Sequence, residues 1–143
     1  MRMLLWHVNS FRAVVTERGR SPLADPKPDL PVEMGEGILV FACAERADEA
    51  DPALVARRSA DEVASLCRRL KAGRVTLHSF AHLFAELAAP DIARQMLRDL
   101  AADLSARGLE VYETPFGWFN TVEIATKGHP LSRQARTISA GNP

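Results

Sequence analysis

The chain has 143 residues, of which 47% are hydrophobic and 25% charged, and its 18 Lys and Arg balance its 18 Asp and Glu. A domain of this size buries enough surface to fold without disulfides or a structural metal, and the composition excludes disordered, collagen-like and disulfide-rich chains. The zero net charge argues against a protein that holds long nucleic acid through phosphates alone. If the protein binds nucleic acid, we expect it to grip a short end or to rely on another module.

Cys43 and Cys67 stand outside any CxxC motif and have no His or Cys nearby at zinc-ligand spacing, so we expect two buried, reduced thiols. The apolar run at residues 3–8 is too short for a signal peptide, and no stretch approaches the ~20 apolar residues of a membrane span. We therefore expect a soluble cytoplasmic protein that does not contact a membrane. No motif indicates a metal or a cofactor, and none is expected.

The first part of the chain predicts strands and one long loop. Residues 3–8 are apolar and predict a buried strand, with residues 11–16 as its hairpin partner after a turn at Asn9-Ser10. Residues 19–37 carry four prolines, which remove backbone donors and predict a surface loop. Residues 38–44 are apolar throughout and predict a central strand that is buried on both faces.

The second part of the chain predicts two helices that alternate with strands. Asp51-Pro52 begins the first helix and Gly73 caps its end, whereas Pro90 begins the second helix and Gly108 ends it. The remaining predicted elements are strands at 74–80, 109–114 and 118–126, and one helical turn from Pro130. Helices that return the chain to a strand indicate an α/β fold, with a mixed sheet and crossover helices.

The sequence contains no GxGxxG, P-loop, HExxH or GxSxG motif. Three polar clusters instead lie at the ends of predicted strands, at residues 79–83, 114–120 and 127–131. Each has an ordinary explanation: His82 satisfies a loop carbonyl, the aromatic residues pack on the core, and Gly128 with Pro130 forms a turn. The functional alternative is a ligand site at the ends of the strands, with the aromatic residues stacking on a base.

Four segments in this order resemble the N-terminal editing domain of archaeal threonyl-tRNA synthetases: MRMLLWH at 1–7, FAHL at 80–83, PFGWF at 115–119 and KGHPL at 127–131, followed by Ser132 and RTI at 136–138. The resemblance covers nearly the whole chain. It implies a single domain at residues 1–138 with a fold like that of D-aminoacyl-tRNA deacylases, and a tail or linker at 139–143. It also implies a homodimer, other synthetase modules as partners, and hydrolysis of serine attached to threonine tRNA.

The resemblance also implies roles for individual residues. His82 would contact the seryl hydroxyl and crowd the methyl group of threonine, and Asn120 would occupy the position of a catalytic side chain. The residues implied to line the pocket for the seryl-adenosine end are Ala44, Ser79, Ala81, Phe116, Gly117 and Phe119. Where the family usually carries Lys, Tyr and Glu, this sequence has Asn120, Phe119 and Arg133.

Because an aminoacyl ester is already activated, water needs only to be positioned and the oxyanion held by fixed donors. Main-chain N–H groups near Ala81 and at residues 116–119, with the hydroxyl of the terminal ribose, are expected to do this. Two alternatives stay open: a catalytically inactive module that binds the tRNA end or dimerises, and a D-aminoacyl-tRNA deacylase on the same fold.

Overall fold

The computed structural model describes residues 1–81 and 86–141. Seven strands and two α-helices make up this part of the chain. In chain order they are β1 Arg2–Arg18, β2 Val32–Met34, β3 Gly37–Cys43, α1 Pro52–Leu70, β4 Arg74–Ser79, α2 Pro90–Ala106, β5 Glu110–Glu113, β6 Trp118–Thr126 and β7 Arg133–Thr137, with a short 3₁₀ helix at Arg46–Ala50 between β3 and α1. The prediction of a mixed α/β sheet with crossover helices is confirmed.

β1 is one strand of 17 residues, so the predicted hairpin with a turn at Asn9-Ser10 is wrong. The first half of β1 pairs with β3 on one edge and β7 on the other, and the second half pairs with β2 and β6. Asn9 lies at a register shift against β6 between Val8 and Ser10. The polar pair therefore forms a bulge and not a turn, because partners distant in sequence hold both halves of the strand.

The strands β3, β4 and β5 are parallel neighbours, with Ile38 opposite Val75 and Val75 opposite Val111. Helix α1 connects the first pair and α2 connects the second, and their apolar faces belong to the same core cluster. Two successive crossovers in one direction place both helices on one face of a sheet. The carboxyl ends of the three strands consequently meet at one edge, which we call the carboxyl edge.

Local capping residues fix where the helices begin and end. The Asp51 side chain accepts a hydrogen bond from Leu54 N at 3.1 Å, with Pro52 at the first helical position, as predicted. Lys71 adopts the left-handed conformation (φ 53°) at the end of α1, so the prediction that Gly73 caps this helix is wrong. Gly108 (φ 86°) follows α2 as predicted.

The segment that follows Pro130 departs from its predicted helical turn. Residues Arg133–Thr137 form β7, which pairs with the first half of β1. The first half of β1 has an edge whose backbone N–H and C=O groups need partners. Pairing with this edge outweighs the weak local preference of the segment for a helical turn. The end of β7 is tied to the start of β1, because Ile138 N donates to Met1 O at 2.8 Å and the Met1 ammonium donates to Asp48 Oδ1 at 2.5 Å.

Two apolar cores lie on opposite faces of the parallel strands. The first lies under the helices and contains Cys67, and Cys43 and Cys67 are both buried and free, as predicted. The second lies between the other face and the second half of β1, and its fully buried members are Val8, Phe11, Ala13, Met34, Leu39 and Phe41. In the described ranges, neither helix combines the length and apolar character needed to cross a membrane.

His78 on β4 is buried in the second core, with its ring against Phe11 and Phe41. Its Nδ1 lies 2.8 Å from Thr114 Oγ1, a hydrogen bond that joins the end of β4 to the residue after β5. Burial favours the neutral imidazole and lowers the pKa of His78 from 6.5 to about 4. The carboxyl edge is therefore built around a histidine that stays neutral in the folded chain.

This burial predicts a loss of stability in acid. Between pH 6.5 and pH 4 the unfolded chain protonates His78 but the folded chain does not, so the free energy of unfolding falls as the pH falls, by about 3 kcal/mol in total. His78→Gln removes this contribution and keeps an amide donor for Thr114. Urea unfolding of both proteins at a series of pH values measures the difference. Parallel pH profiles for the two proteins would contradict the prediction.

Candidate active site

The carboxyl edge brings together three of the predicted pocket residues. Ala42 lies opposite Ser79 in the parallel pairing, and Phe80 N donates to Ala42 O at 3.0 Å. Ala44 lies two residues after Ala42, beyond the end of β3, and Ala81 lies two residues after Ser79, beyond the end of β4. Ala44 is buried and its carbonyl accepts from Ala88 N at 3.1 Å, whereas Ser79 is half-buried and Ala81 is exposed. The edge thus presents small side chains and main chain to a ligand.

A cavity of about 20 Å³ opens beside Ser79 and has Phe116 in its wall. Leu77 and Thr114 also line it, as do four charged side chains: Asp25, Arg94, Arg98 and Glu113. This volume holds about one water molecule, and the polar lining can bind it. Ser79 and Phe116, which lie 37 positions apart in the sequence, therefore share one site.

The two acidic groups at this cavity differ in their surroundings. Burial, together with the negative charge of Asp25, raises the pKa of Glu113, and the nearby Arg98 partly offsets the rise. Asp25 lies 3.3 Å from Arg98 Nη2 and 3.7 Å from Arg94 Nη1. The positive charges on α2 are thus matched by carboxylates at the same cavity.

Gly117 is required by the tight turn between β5 and β6. Its φ is +85°, and a Cβ there would lie 2.4 Å from Leu23 O and 2.9 Å from Ala24 Cα. Its carbonyl accepts from Gly19 N at 2.8 Å. The proline-rich segment at residues 19–31 therefore packs directly on the turn at residues 115–118, where a side chain would not fit.

Asp25 was not predicted as a site residue from the sequence, and neither were Arg94, Arg98 and Glu113 at the same cavity. The Asp25 side chain accepts from Phe116 N at 2.9 Å, its N–H donates to Phe116 O at 2.9 Å, and its carbonyl accepts from Trp118 Nε1 at 2.8 Å. Nothing local in the sequence marks it, since it stands in an irregular segment more than 90 positions before its partners. The four prolines around it were the available signal, because they indicated a restrained loop.

Asn120 lies on β6 opposite Val15 of β1. Its Nδ2 donates to Trp118 O at 3.1 Å, and its Oδ1 is buried with no hydrogen-bond partner among the described residues. The strand alternation places Asn120 on the same face as Ile124, which packs on the second core. Phe119 points to the opposite face and is 46% exposed. The Asn120 Oδ1 is thus an unpartnered acceptor that lies beneath the surface on the core-facing side of β6.

The structure separates Arg133 from Asn120. Arg133 begins β7 and lies opposite Trp6, whereas Asn120 lies opposite Val15. These two positions of β1 are nine residues apart, which is roughly 30 Å of strand. His82, the other predicted catalytic residue, lies outside the described residues.

The KGHPL segment forms a turn, as one of its two interpretations predicted. Leu131 N donates to His129 Nδ1 at 3.2 Å, so His129 Nε2 carries the proton and donates to His7 Nδ1 at 2.8 Å. His7 Nε2 in turn donates to the carboxylate of Glu36. Every ring nitrogen of the two histidines is engaged, and the cluster ties β1 to the chain that precedes β3. In the described ranges, no group of three or more His, Cys, Asp or Glu side chains is arranged to hold a metal ion.

Comparisons with known proteins agree with this architecture. A family model described as the archaea-specific editing domain of threonyl-tRNA synthetase matches residues 1–138. The threonine–tRNA ligase of Methanopyrus kandleri is 37% identical over 142 residues, which cover 97% of this chain and 22% of that protein. The threonine–tRNA ligase of Methanobrevibacter smithii is 36% identical over 142 residues, which cover 98% of this chain and 23% of that protein. The chain thus spans about a fifth of the length of these curated relatives.

Two solved structures show the same fold. One is a c-Myc DNA unwinding element binding protein, with a TM-score of 0.68, 9% identity, and 96% of this chain and 98% of that chain covered. The other is a probable eukaryotic D-amino acid tRNA deacylase, with a TM-score of 0.66 and 14% identity. The match covers 94% of this chain and 97% of that chain. The predicted D-aminoacyl-tRNA deacylase-like fold is confirmed.

The geometry of the turn predicts that Gly117→Ala is costly. A left-handed alanine and a contact with the Leu23 carbonyl together lower the free energy of unfolding by at least about 2 kcal/mol. Gly128→Ala is the matched control, because a Cβ there meets nothing within 4 Å. Urea unfolding measures both variants. Equal stability of the two variants would show that the turn does not require glycine.

Proposed function

The chain belongs to the archaea-specific family of threonyl-tRNA synthetase editing domains, and from this membership we propose that it hydrolyses the ester of serine wrongly attached to threonine tRNA. The observation that carries the proposal is the family match across residues 1–138, in a chain with the fold of an aminoacyl-tRNA deacylase. We propose the same residues as the editing domain and residues 139–143 as a tail or the start of a linker. Its partners would be the acceptor end of the tRNA, the other synthetase modules and a second copy of the chain, in the cytoplasm.

The need for such an activity follows from the size of the difference between the two amino acids. Serine lacks one methyl group of threonine, and a group of that size gives a binding pocket only ~1–3 kcal/mol of discrimination. A second site that accepts serine and rejects threonine adds an independent selection. Small residues such as Ala44, Ser79 and Ala81 at the carboxyl edge suit a pocket for a small amino acid.

The chemistry of the proposed reaction places few demands on side chains. The ester is already activated, so the protein must exclude excess water, place one water and hold the developing oxyanion with fixed donors. The N–H of Phe116 is already donated to Asp25, so the proposed donors are the main-chain N–H groups near Ala81 and at residues 117–119. The hydroxyl of the terminal ribose, adjacent to the ester, would hold the water or transfer its proton.

The remaining predicted residues take supporting roles in this proposal. Phe116, Gly117 and Phe119 would form the wall beside the terminal adenine, since an aromatic ring can stack on any base. Asn120 would accept a hydrogen bond from the substrate or the water through its Oδ1, which lacks a partner among the described residues and is buried, so that binding must first expose it. His82 would contact the seryl hydroxyl and oppose the methyl group of threonine.

The proposal is tested with threonine tRNA charged with serine or with threonine. Rapid loss of the seryl ester, with the threonyl ester spared, supports it, and comparable slow loss of both esters rejects it. A D-seryl ester that is cleaved faster than the L-seryl ester would instead favour a D-aminoacyl-tRNA deacylase. Binding of a non-hydrolysable seryl-adenosine mimic without turnover of the true ester would favour an inactive module that binds the tRNA end.

The alternative of an inactive module that binds the tRNA end has a specific basis in this sequence. Asn120 and Phe119 stand where the resemblance implies Lys and Tyr, and Arg133, which lies on β7 opposite Trp6, stands where it implies Glu. An amide cannot stabilise negative charge as an ammonium does. Catalysis by this chain therefore depends on main-chain donors and the ribose hydroxyl, or does not occur.

We predict that Asn120→Ala slows hydrolysis by no more than about tenfold, the value of one neutral hydrogen bond. Removing the ribose hydroxyl adjacent to the ester slows it by at least about 100-fold, because an essential group in the transition state is lost. Single-turnover rates on intact and deoxy-terminated seryl-tRNA measure both effects, with Thr121→Ala as an exposed neighbouring control. A rate near background for Asn120→Ala, with full binding of the seryl-adenosine mimic, would show that the side chain is essential.

We also predict that His82→Ala weakens the preference for serine. Removing the group that crowds the threonine methyl lowers the ratio of seryl to threonyl hydrolysis by about tenfold, within the range expected for one methyl group. The ratio of the two single-turnover rates is the measurement. An unchanged ratio would remove His82 from the determinants of selectivity, whatever its effect on the absolute rate.

A further inference from the structure

The proline-rich segment at residues 19–31 is fastened to the turn at residues 115–118 chiefly through Asp25. Three hydrogen bonds of 2.8–2.9 Å join Asp25 to Phe116 and Trp118, and two of them use the Asp25 main chain. Because the third uses the carboxylate, the Phe116 N–H is bonded to a charged acceptor, which is the stronger kind of hydrogen bond. The position of Phe116 is thus set from a distant part of the sequence.

The Asp25 carboxylate also connects this turn to helix α2. Its Oδ1 faces Arg98 at 3.3 Å and Arg94 at 3.7 Å, while Oδ2 accepts from Phe116 N. The side chain of Asp25 is 26% exposed, so solvent weakens these ion pairs less than it would on an open surface. Three elements that are separate in the chain therefore meet at one carboxylate.

We infer that Asp25 is a positioning residue that fixes Phe116 as the wall for the terminal adenine of the tRNA. This inference rests on the proposed function, since it names how this chain shapes the subsite for the base. Phe116 lines the same cavity as Ser79, next to the carboxyl edge where the ester would bind. An aromatic side chain stabilises a stacked base most when the ring is already held in position before the base binds. If the ring must become ordered on binding, the cost in free energy reduces the affinity.

The carboxylate and the glycine at this turn act together. Gly117 allows the segment to approach within contact distance, and Asp25 supplies the bonds that hold it there. Without the carboxylate, the Phe116 N–H loses its acceptor, and both arginines lose a counter-charge. The expected result is a turn that keeps its general location but no longer holds the aromatic ring in one orientation.

The test compares two non-hydrolysable probes, a seryl amide of 3′-aminoadenosine and the same seryl amide on an aminoribose without the base. The wild-type chain binds the base-containing probe more tightly. Asp25→Ala weakens the binding of that probe by about tenfold and leaves the base-free probe unchanged. Asp25→Asn keeps a carbonyl acceptor for Phe116 N–H and loses the charge, so it weakens binding of the base-containing probe by about threefold. Asp29→Ala, an exposed position in the same segment, is the control and changes neither affinity.

This design separates positioning from general destabilisation, which would weaken both probes alike. An equal loss for both probes, or no loss for either, overturns the inference. Hydrolysis of seryl-tRNA by the wild-type chain is measured alongside. If the wild type hydrolyses the ester and Asp25→Ala binds both probes normally, the role of Asp25 is rejected and the proposed function stands. If the wild type binds neither probe and hydrolyses nothing, both are rejected.

Discussion

The architecture depends on backbone pairing along both edges of β1. Its first half is held between β3 and β7, and its second half between β2 and β6. The strand can therefore continue across its bulge and fold over the far face of the parallel strands, where its second half closes the second core. The start of β1 is fixed by the Met1 ammonium, which is bonded to Asp48 and to the Ile138 carbonyl. The strand thus defines both the helix-covered core and the aromatic core, and the candidate site lies where the parallel strands beside it end.

At the carboxyl edge, most polar groups are already engaged within the protein. His78 is bonded to Thr114, Phe116 N–H is bonded to Asp25, and the arginines of α2 face carboxylates. Groups committed in this way shape a pocket but add little reactivity of their own, because each proton and lone pair has a partner. Among the buried side-chain atoms of the described residues near the turn, Asn120 Oδ1 lacks a partner, and it is a neutral acceptor. This distribution fits a reaction in which the substrate supplies part of its own chemistry.

The sequence predicted elements well where local signals agreed with tertiary partners. Asp51-Pro52, Pro90 and Gly108 mark helix ends by mechanisms that act within one turn of chain, and the central strand before Ala44 is apolar throughout. The predictions failed where long-range pairing decided the outcome. Asn9-Ser10 has the composition of a turn, but strands far away in the sequence hold it as a bulge, and the segment after Pro130 becomes β7 because an edge of β1 is open.

The same distinction holds at the site. The resemblance named Ser79 and Phe116 as pocket residues, and both belong to clusters at the ends of predicted strands, whereas Asp25 acts at a distance and has no local pattern. Arg133 shows the converse, since the resemblance singled it out with Asn120, yet the two lie on different strands that pair with distant parts of β1. Pairing register, and not spacing in the sequence, decides which of these side chains share a site.

The proposed selection of serine over threonine would impose a further physical constraint on this edge. A pocket that admits the smaller amino acid must reject the larger one by steric conflict, and conflict is effective only if the walls do not yield. In the proposed amino-acid pocket, Ser79 is held by the pairing of β4 with β3, and the Ala44 carbonyl accepts a hydrogen bond from Ala88 N. A rigid wall penalises one extra methyl group by the strain that it cannot relieve, whereas a mobile wall would move aside at little cost. In the proposed editing reaction, the pairing of β3 with β4 is therefore part of how serine is selected, whereas the restraint that the proline-rich segment imposes serves the binding of the terminal adenine.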